Sequence, residues 1–432
     1  MTLILISIVI LLLLLFLSVP VASTIAGISI ILGYFFSDYP IFSSLGEITW
    51  SVVTDSLLLS IPFFVLLGEI LLHSGIAKKI YFALHKWLSF LPGGLLHANI
   101  ASSAIFSSIS GSSVATAATI TTVAMPQCEK HGYKAGLFAG TIAAGGTLGI
   151  LIPPSINLII YGFLTNSSIP KLFIAGLVPG ILMAVLFMLF ILIYALVKKE
   201  NVQEVDEDEE KVSWKERFIA LKDLLPILIL FVLIMSSIYT GVATPRESAA
   251  LGVFFSLIIT FTSGLLNIEV LKQSIRGTIR TTGMIMFIVI AASFLNFVLV
   301  SIGLTDDLSD FIENLEISKY TMLVIVTLLF IVLGLFIETL SLMVITIPII
   351  APVMISLGFD PIWFGIYLII LIEMALITPP VGLNLYVVQG IRNKGSIVEV
   401  MKGCIPFVLI MLLMSILLVI FPQISLFFVD YV

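Results

Sequence analysis

The stretch GILIPPSIN at positions 149–157 decides the fold, because a second break of the same kind, ITPPVGLN, follows at positions 377–384. The two pairs, Pro153-Pro154 and Pro379-Pro380, lie about half the chain apart, and both are inside apolar sequence. Proline interrupts the hydrogen bonds of a helix, and lipid cannot satisfy the freed backbone groups. Such a break therefore persists only where the backbone lines a cavity or a bound ion. Two matching breaks in two halves are typical of carriers built from internal repeats.

The same spacing recurs in other prolines and glycines along the chain. At a shift equal or nearly equal to that between the two Pro-Pro pairs, the matches are Pro20 with Pro245, Gly27 with Gly252, Pro126 with Pro352, Gly132 with Gly358, and Pro179 with Pro406. Self-similarity at a fixed long period indicates an internal repeat. We therefore predict a first repeat at 1–197, a charged linker at 198–222, and a second repeat at 223–432.

The composition predicts an all-α polytopic membrane protein. Hydrophobic residues make up 60% of the chain, charged residues 11%, and the mean hydropathy is +1.23. A soluble domain carries roughly 25% charged residues. The two cysteines and four histidines show no spacing typical of a metal site. No basic residue precedes the apolar run from Leu3 to Val19, so we interpret this run as a permanent span and not as a signal peptide.

Each half is predicted to cross the membrane five times. The spans fall at about 2–19, 20–36, 55–73, 134–165 and 171–197, and at about 223–241, 245–265, 281–302, 361–390 and 403–429. An odd number of crossings inverts the second repeat relative to the first. Two further apolar segments, 95–126 and 319–355, are predicted to be re-entrant helical hairpins, because each arm is too short for a hydrocarbon core of roughly 30 Å. The amphipathic stretches 76–90 and 304–316 are predicted to lie along the interface.

Basic residues set the predicted orientation. They cluster at 78–86, 198–222, 272–280 and 392–402, and five crossings per half place all four clusters on one face. The excess of Lys and Arg predicts that this face is the cytoplasmic one. Both termini would then be periplasmic, in a bacterial inner membrane.

The hairpin tips and broken helices supply two kinds of binding group. The C-terminal ends of half-helices present free carbonyls to a cation, and their N-terminal ends present amides to a carboxylate. Two Na+ sites are predicted, one in each repeat. The first comprises Ser110, Ser112, Ser113, Gly149, Ile152 and Pro154, and the second comprises Glu338, Thr339, Thr378, Pro380 and Gly382. The predicted substrate-binding residues are Ser112, Ser155, Asn157 and Asn384.

Na+ is favoured over a proton because the predicted spans contain no central Asp or His. Glu69 and Glu373 are the intramembrane acids, and both a site role and a packing role stay open for them. A small-residue packing role also stays open for the serine run and for Gly145-Gly146.

Several of these motifs resemble one known family. The run SGSSVAT at 110–116 resembles the first hairpin of the large membrane subunit of TRAP transporters. IPPS at 152–155 and TPPVG at 378–382 resemble its two broken helices, and LPGG at 91–94 and PVA at 20–22 also fit. The resemblance covers essentially the whole chain and does not separate the dicarboxylate branch from the sialic acid branch.

This resemblance implies Na+-driven uptake of an organic acid. It implies a transport part at 95–165 and 319–390 that slides as an elevator against the remaining spans. A separate four-helix membrane subunit and a periplasmic substrate-binding protein are the implied partners. It places the Na+ sites between each hairpin tip and its broken helix. In the second tip, Glu338 stands where the first has Ser112.

Three other functions would make different demands on the sequence. A stand-alone Na+-dicarboxylate or citrate carrier would need no binding protein. A channel would need a repeated filter sequence, and an embedded enzyme would need paired acids or a Ser/His dyad; we find none of these in the sequence. The chain is therefore predicted to be a carrier, without enzymatic activity.

Overall fold

A computed structural model describes residues 14, 17, 19–198, 212–304 and 317–431. Within these ranges the chain is helical, without a β-strand. Most of the predicted first span at 2–19, most of the arm at 304–316 and most of the linker lie outside the described residues.

Nine helices are described in the first half. They are α1 (Val21–Phe36), α2 (Ile41–Thr54), α3 (Ser60–His73), α4 (Ile76–Leu88), α5 (Gly94–Ser110), α6 (Ser113–Lys130), α7 (Ala135–Leu151), α8 (Ile156–Thr165) and α9 (Ile169–Val197). The pair α5–α6 forms the first predicted hairpin, and the pair α7–α8 forms the first broken helix, with a bend of 42°. Helix α4 turns by 69° from α3, as expected of an arm that leaves a span.

Nine α-helices are likewise described in the second half. They are α10 (Trp214–Tyr239), α11 (Pro245–Thr262), α12 (Ile268–Ser301), α13 (Lys319–Gly334), α14 (Thr339–Ser356), α15 (Pro361–Ile377), α16 (Leu383–Arg392), α17 (Ile397–Ile420) and the single turn α18 (Gln423–Leu426). The pair α13–α14 forms the second hairpin, and α15–α16 the second broken helix.

Corresponding helices of the two halves have the same lengths where the breaks occur. Helix α14 begins and ends at the positions that α6 reaches when it is shifted by the spacing of the two Pro-Pro pairs, and α15 corresponds to α7 in the same way. The spacing read from the sequence is therefore also the spacing of the helices around the breaks.

Several helices are suited to a membrane by length and composition. Among the described residues, α9, α10, α12, α14 and α17 pass this test alone, and the bent pairs α3–α4 and α7–α8 raise the count to seven. Helices α1, α13 and α15 are apolar but shorter. The chain is a multi-pass membrane protein.

The helices before the first hairpin differ from the predicted spans. Helix α2 lies between the two spans predicted at 20–36 and 55–73, and α12 begins at Ile268, well before the predicted start at 281. When the residue numbers of α2 and α3 are shifted by the spacing of the two Pro-Pro pairs, these two helices together fall on the positions of the single helix α12. The first half has a turn here because the Asp55 carboxylate accepts the amide hydrogens of Leu57 and Leu58, at 2.8 and 3.2 Å.

Two groups of helices pack internally. Helices α1, α2, α3, α11 and α12 pack on one another, and α5–α9 pack with α13–α17. Helix α17 runs against α7 so closely that the backbones of Gly140 and Gly403 meet. Helix α9 is equally close to the first break, since a Cβ on Gly176 would lie 2.6 Å from the carbonyl oxygen of Leu151. The arm α4 joins the groups, because it contacts both α3 and α5.

Candidate functional site at the hairpin tips

The first hairpin turns on Gly111 and Ser112. Gly111 adopts a left-handed conformation with φ of +60°, which favours glycine. A Cβ there would lie 3.6 Å from the carbonyl oxygen of Pro154, so the tip meets the first helix break. The Ser112 hydroxyl then caps α6 by accepting the amide hydrogen of Ala115 at 3.3 Å. The tip also faces α3, where a Cβ on Gly68 would lie 3.1 Å from the Cα of Ser110.

The two other tip serines point to different partners. The Ser110 hydroxyl lies 2.9 Å from the hydroxyl of Thr116, inside the hairpin. The Ser113 hydroxyl instead donates a hydrogen bond of 2.5 Å to Oε2 of Glu373, on α15 in the other half of the chain. This bond joins the first hairpin to the second broken helix.

Glu338 occupies the second tip as a helix cap. Its Oε2 accepts the amide hydrogen and the hydroxyl hydrogen of Ser341, both at 3.2 Å. It therefore begins α14 as Ser112 begins α6. Thr339 follows as the first, buried residue of α14.

The two breaks are built differently. In the first, α7 ends at Leu151, Ile152 follows in extended conformation, and the Ser155 hydroxyl caps α8 by accepting the amide hydrogen of Leu158 at 3.4 Å. In the second, the Thr378 hydroxyl donates to the carbonyl oxygen of Met374 at 2.7 Å, and Gly382 begins α16 without a side-chain cap. Both Pro-Pro peptide bonds are cis.

Gly382 is required by its surroundings as well as by its backbone. Its φ is +33°, and a Cβ would lie 2.7 Å from the carbonyl oxygen of Leu376. The second break therefore tolerates only glycine at this position.

Glycines of α7 serve close helix packing. A Cβ on Gly145 would lie 2.7 Å from Cβ of Ser103, and one on Gly149 would lie 2.5 Å from Cβ of Ser107. Both serines belong to α5, so two small residues four apart on one helix face two on the other. The Cα of Gly149 thus faces Ser107, a residue that the sequence interpretation did not single out.

One cavity of about 590 Å³ lies between the two tips. Its wall contains the first residues of four helices of the two hairpins and breaks: α6, α8, α14 and α16. Among the described residues that line it, Glu338 is the one charged side chain, and none is Lys or Arg. Because helix N-termini carry partial positive charge and free amide groups, the cavity suits an anion.

The cavity gathers only part of the predicted site. The lining residues include Ser112, Ser113, Asn157, Glu338 and Thr339. The other predicted residues lie behind the wall, in the breaks or inside the helix packing; they are Ser110, Gly149, Ile152, Pro154, Ser155, Thr378, Pro380, Gly382 and Asn384.

The two candidate asparagines differ in position. Asn157 lines the cavity, and its buried Nδ2 has no hydrogen-bond partner among the described residues. Asn384 is fully buried outside the cavity and donates to the carbonyl oxygen of Ala143 at 3.4 Å. Asn157 is therefore the better placed of the two to donate a hydrogen bond to a substrate.

Sequence reasoning missed the wall opposite the tips. This wall comes from the start of α1 and from the middle of α12, and its residues are Pro20, Val21, Ala22, Thr281, Met284, Ile285, Phe287 and Ile288. They are mostly apolar, and the PVA motif at 20–22 was not predicted to belong to the site, so only the fold assigns these residues to the cavity. Thr281 is the one polar member.

Comparison with known proteins identifies close relatives over the full length. Residues 8–424 match the family described as tripartite ATP-independent periplasmic transporter, DctM component. The C4-dicarboxylate TRAP transporter large permease protein DctM of Vibrio cholerae is 33% identical over 429 residues, which cover 94% of this chain and 93% of that protein. The sialic acid TRAP transporter large permease protein SiaM of the same organism is 30% identical and covers 85% of each chain.

A solved structure shares the fold. The chain is similar to the YdaH transporter of Alcanivorax borkumensis with a TM-score of 0.62 and 15% identity, covering 95% of this chain and 98% of that one.

Proposed function

This chain belongs to the DctM family, the large membrane subunit of TRAP transporters, and we propose that it carries out Na+-coupled uptake of an organic acid anion. It is a transporter component and not an enzyme. The proposed substrate is of the C4-dicarboxylate or sialic acid type, as in the names of its relatives. The observation that carries the substrate class is the convergence of four helix N-termini on one cavity without a basic side chain.

The substrate would be held by neutral groups. The unpaired Nδ2 of Asn157 and the amides at the start of α6 and α14 are the donors that can reach an anion in this cavity. The apolar wall of α12 would pack on the carbon skeleton.

Two Na+ sites, one at each hairpin tip, are the proposed source of the driving force. The support is the repetition of the same parts: a hairpin tip, a capped helix start and a Pro-Pro break occur in both halves. The free carbonyls at the ends of α7 and α15 and the tip hydroxyls would bind dehydrated Na+. The ions would offset the polar backbone of the tips while they cross the membrane.

We propose that the two groups of packed helices described above move relative to each other during transport. The hairpins and broken helices would slide as one body against α1, α2, α3, α11 and α12. The close backbone contacts of α17 with α7, and of α9 with the first break, favour including α9 and α17 in the moving body. The sequence interpretation had assigned those two spans to the scaffold.

The partners proposed are a separate small membrane subunit and a periplasmic substrate-binding protein, in keeping with a tripartite family. The basic clusters are proposed to face the cytoplasm, with both termini periplasmic, in a bacterial inner membrane. A stand-alone carrier would need neither partner.

The test is uptake by proteoliposomes that contain the chain and the small subunit, with and without the binding protein. Uptake should require the binding protein and should rise with Na+ with a Hill coefficient above one. Ser113→Ala and Thr339→Ala should each weaken the apparent Na+ affinity, and the exposed Thr262→Ala should not. Full uptake in Na+-free buffer under a proton gradient alone would contradict Na+ coupling. Full uptake without the binding protein would favour the stand-alone carrier.

A further inference from the structure

Helix α15 carries one carboxylate that has no exposed surface, that of Glu373. Its Oε2 accepts the hydrogen bond from Ser113, and its Oε1 has no hydrogen-bond partner among the described residues. The ion pairs found in the described ranges do not include Glu373. A half-satisfied carboxylate therefore lies between the first hairpin tip and the second broken helix.

An ionised carboxylate in this buried position raises the free energy of the folded protein unless a positive partner is present. Burial of an ionised carboxylate is strongly unfavourable unless charge and hydrogen bonds compensate it. The N-terminus of α6 supplies partial positive charge, because Ser113 is the first residue of that helix. That contact involves Oε2 and leaves Oε1 open. The lone pairs of Oε1 therefore remain available to bind a cation.

We propose that Oε1 of Glu373 and the hydroxyl oxygen of Ser113 bind a Na+ ion that joins the first hairpin tip to the second broken helix. The inference rests on the Na+ coupling proposed above and assigns to it an anionic ligand from the opposite repeat. The Ser113 hydroxyl donates its hydrogen to the carboxylate, so its lone pairs stay free for the ion. Because Ser113 also lines the cavity, the proposed ion would lie next to the cavity wall.

The charge of the site fits a monovalent ion. One carboxylate and one hydroxyl balance a single positive charge, whereas Ca2+ is usually held by several carboxylates. The ion would neutralise the buried charge of Glu373 and hold the two repeats together. A loaded moving body would then carry no uncompensated charge at this position.

Glu69 provides a matched control within the same chain. It is also an acid on an apolar helix, but its carboxylate pairs with His73 at 3.1 Å. It lies on α3 beside Gly277 of α12, among the helices proposed to stay fixed. Its replacement should therefore leave this ion site unchanged.

The experiment is thermal unfolding of the purified full chain in detergent, titrated with NaCl against KCl at constant ionic strength. An ion that binds only the folded state raises the unfolding temperature with its concentration. Wild type and Glu69→Gln should be stabilised by Na+ over K+ with the same half-saturating concentration. Glu373→Gln, which keeps the shape of the side chain, should need about tenfold more Na+. Glu373→Asp keeps the charge and should fall between them.

A second comparison tests the shared ion. Ser113→Ala should weaken the Na+ response, and the double variant Ser113→Ala with Glu373→Gln should lose less than the sum of the two single losses. If Glu373→Gln does not fold, Glu373→Asp and Ser113→Ala provide the same test. Strictly additive losses would contradict a shared ion.

The outcomes separate this inference from the proposed function. A wild-type Na+ response in Glu373→Gln would overturn the assignment of Glu373 and leave Na+ coupling standing. A wild-type chain that responds equally to Na+ and K+ would overturn both.

Discussion

At the scale of single residues, each hairpin tip caps the helix that follows it, but the two capping groups differ chemically. Ser112 caps α6 and Glu338 caps α14, each through a side-chain oxygen that accepts an amide hydrogen of the first turn. The repeat spacing predicts that these two residues occupy equivalent positions in the two halves. It does not predict that the carboxylate turns back onto its own helix, because capping depends on local geometry that the sequence only partly encodes.

The bond between Ser113 and Glu373 was outside the reach of sequence reasoning. Both residues were recognised separately, one as a tip serine and the other as an intramembrane acid. They are 260 positions apart, and only the packing of α6 near α15 brings them together. Local patterns cannot predict such a pair, since no periodicity links residues across two repeats.

Replacement of Gly149 tests whether the glycines of α7 are needed for close packing on α5. Gly149→Ala should lower the unfolding temperature in detergent, because the added methyl group would meet Ser107 on α5, and overpacking costs about 1–3 kcal/mol. Gly390→Ala is the matched control on α16, where a Cβ would meet nothing within 4 Å. Equal stability of the two variants would contradict close packing of α7 on α5.

At the scale of helices, prediction succeeded where an apolar run is ended by Pro or Gly. The bounds predicted for the hairpins and breaks agree with α5–α8 and α13–α16 to within a few residues. It failed for α2 and for the beginning of α12. Both segments are amphipathic, with Glu47 in the first and Lys272, Arg276 and Arg280 in the second, so a search for apolar runs passes over them.

The two ends of α12 show where a basic cluster and Asp38 lie relative to each other. This helix has 34 residues, or about 51 Å at 1.5 Å per residue. Lys272 lies near its first turn, and at its last residue the Ser301 hydroxyl lies 3.1 Å from that of Ser37, next to Asp38. The basic cluster and Asp38 are therefore at opposite ends of one long helix.

Three other contacts gather the remaining basic clusters around the base of the first hairpin. The Trp87 indole donates to the carbonyl oxygen of Arg217 at 2.8 Å, the His85 and His131 rings lie 5.9 Å apart, and Lys394 pairs with Glu129 at 3.0 Å.

Cysteine labelling tests the orientation that these charges predict. A cysteine at Asp38 should react with an impermeant maleimide added to intact cells, and one at Lys394 should react only after the cells are opened. The same contrast is expected between Asp307 and Glu207, two positions outside the described residues. Reaction of position 394 or 207 from outside would contradict the predicted orientation.

At the scale of the whole molecule, the packing groups predict which contacts must change during transport. The backbone of the first hairpin tip lies against Gly68 of α3, where a Cβ would be 3.4 Å from the carbonyl oxygen of Ile109. This is a contact between the proposed moving and fixed bodies. Ser37 and Ser301 approach each other within the fixed body, and Glu129 and Lys394 within the moving one.

Cysteine pairs at these three contacts should separate sliding from local gating, in a chain whose buried native cysteines, Cys128 and Cys404, are first replaced. Crosslinking positions 68 and 109 should stop uptake, and reduction should restore it, because the tip could no longer leave α3. Crosslinked pairs 37–301 and 129–394 should keep uptake near that of their reduced forms, since neither spans the two bodies. If the 68–109 crosslink left uptake intact, the tip would not move past α3 during transport. The cavity would then open to each side by gating around a fixed site, and the helix N-termini that line it would bind the anion at one depth in the membrane.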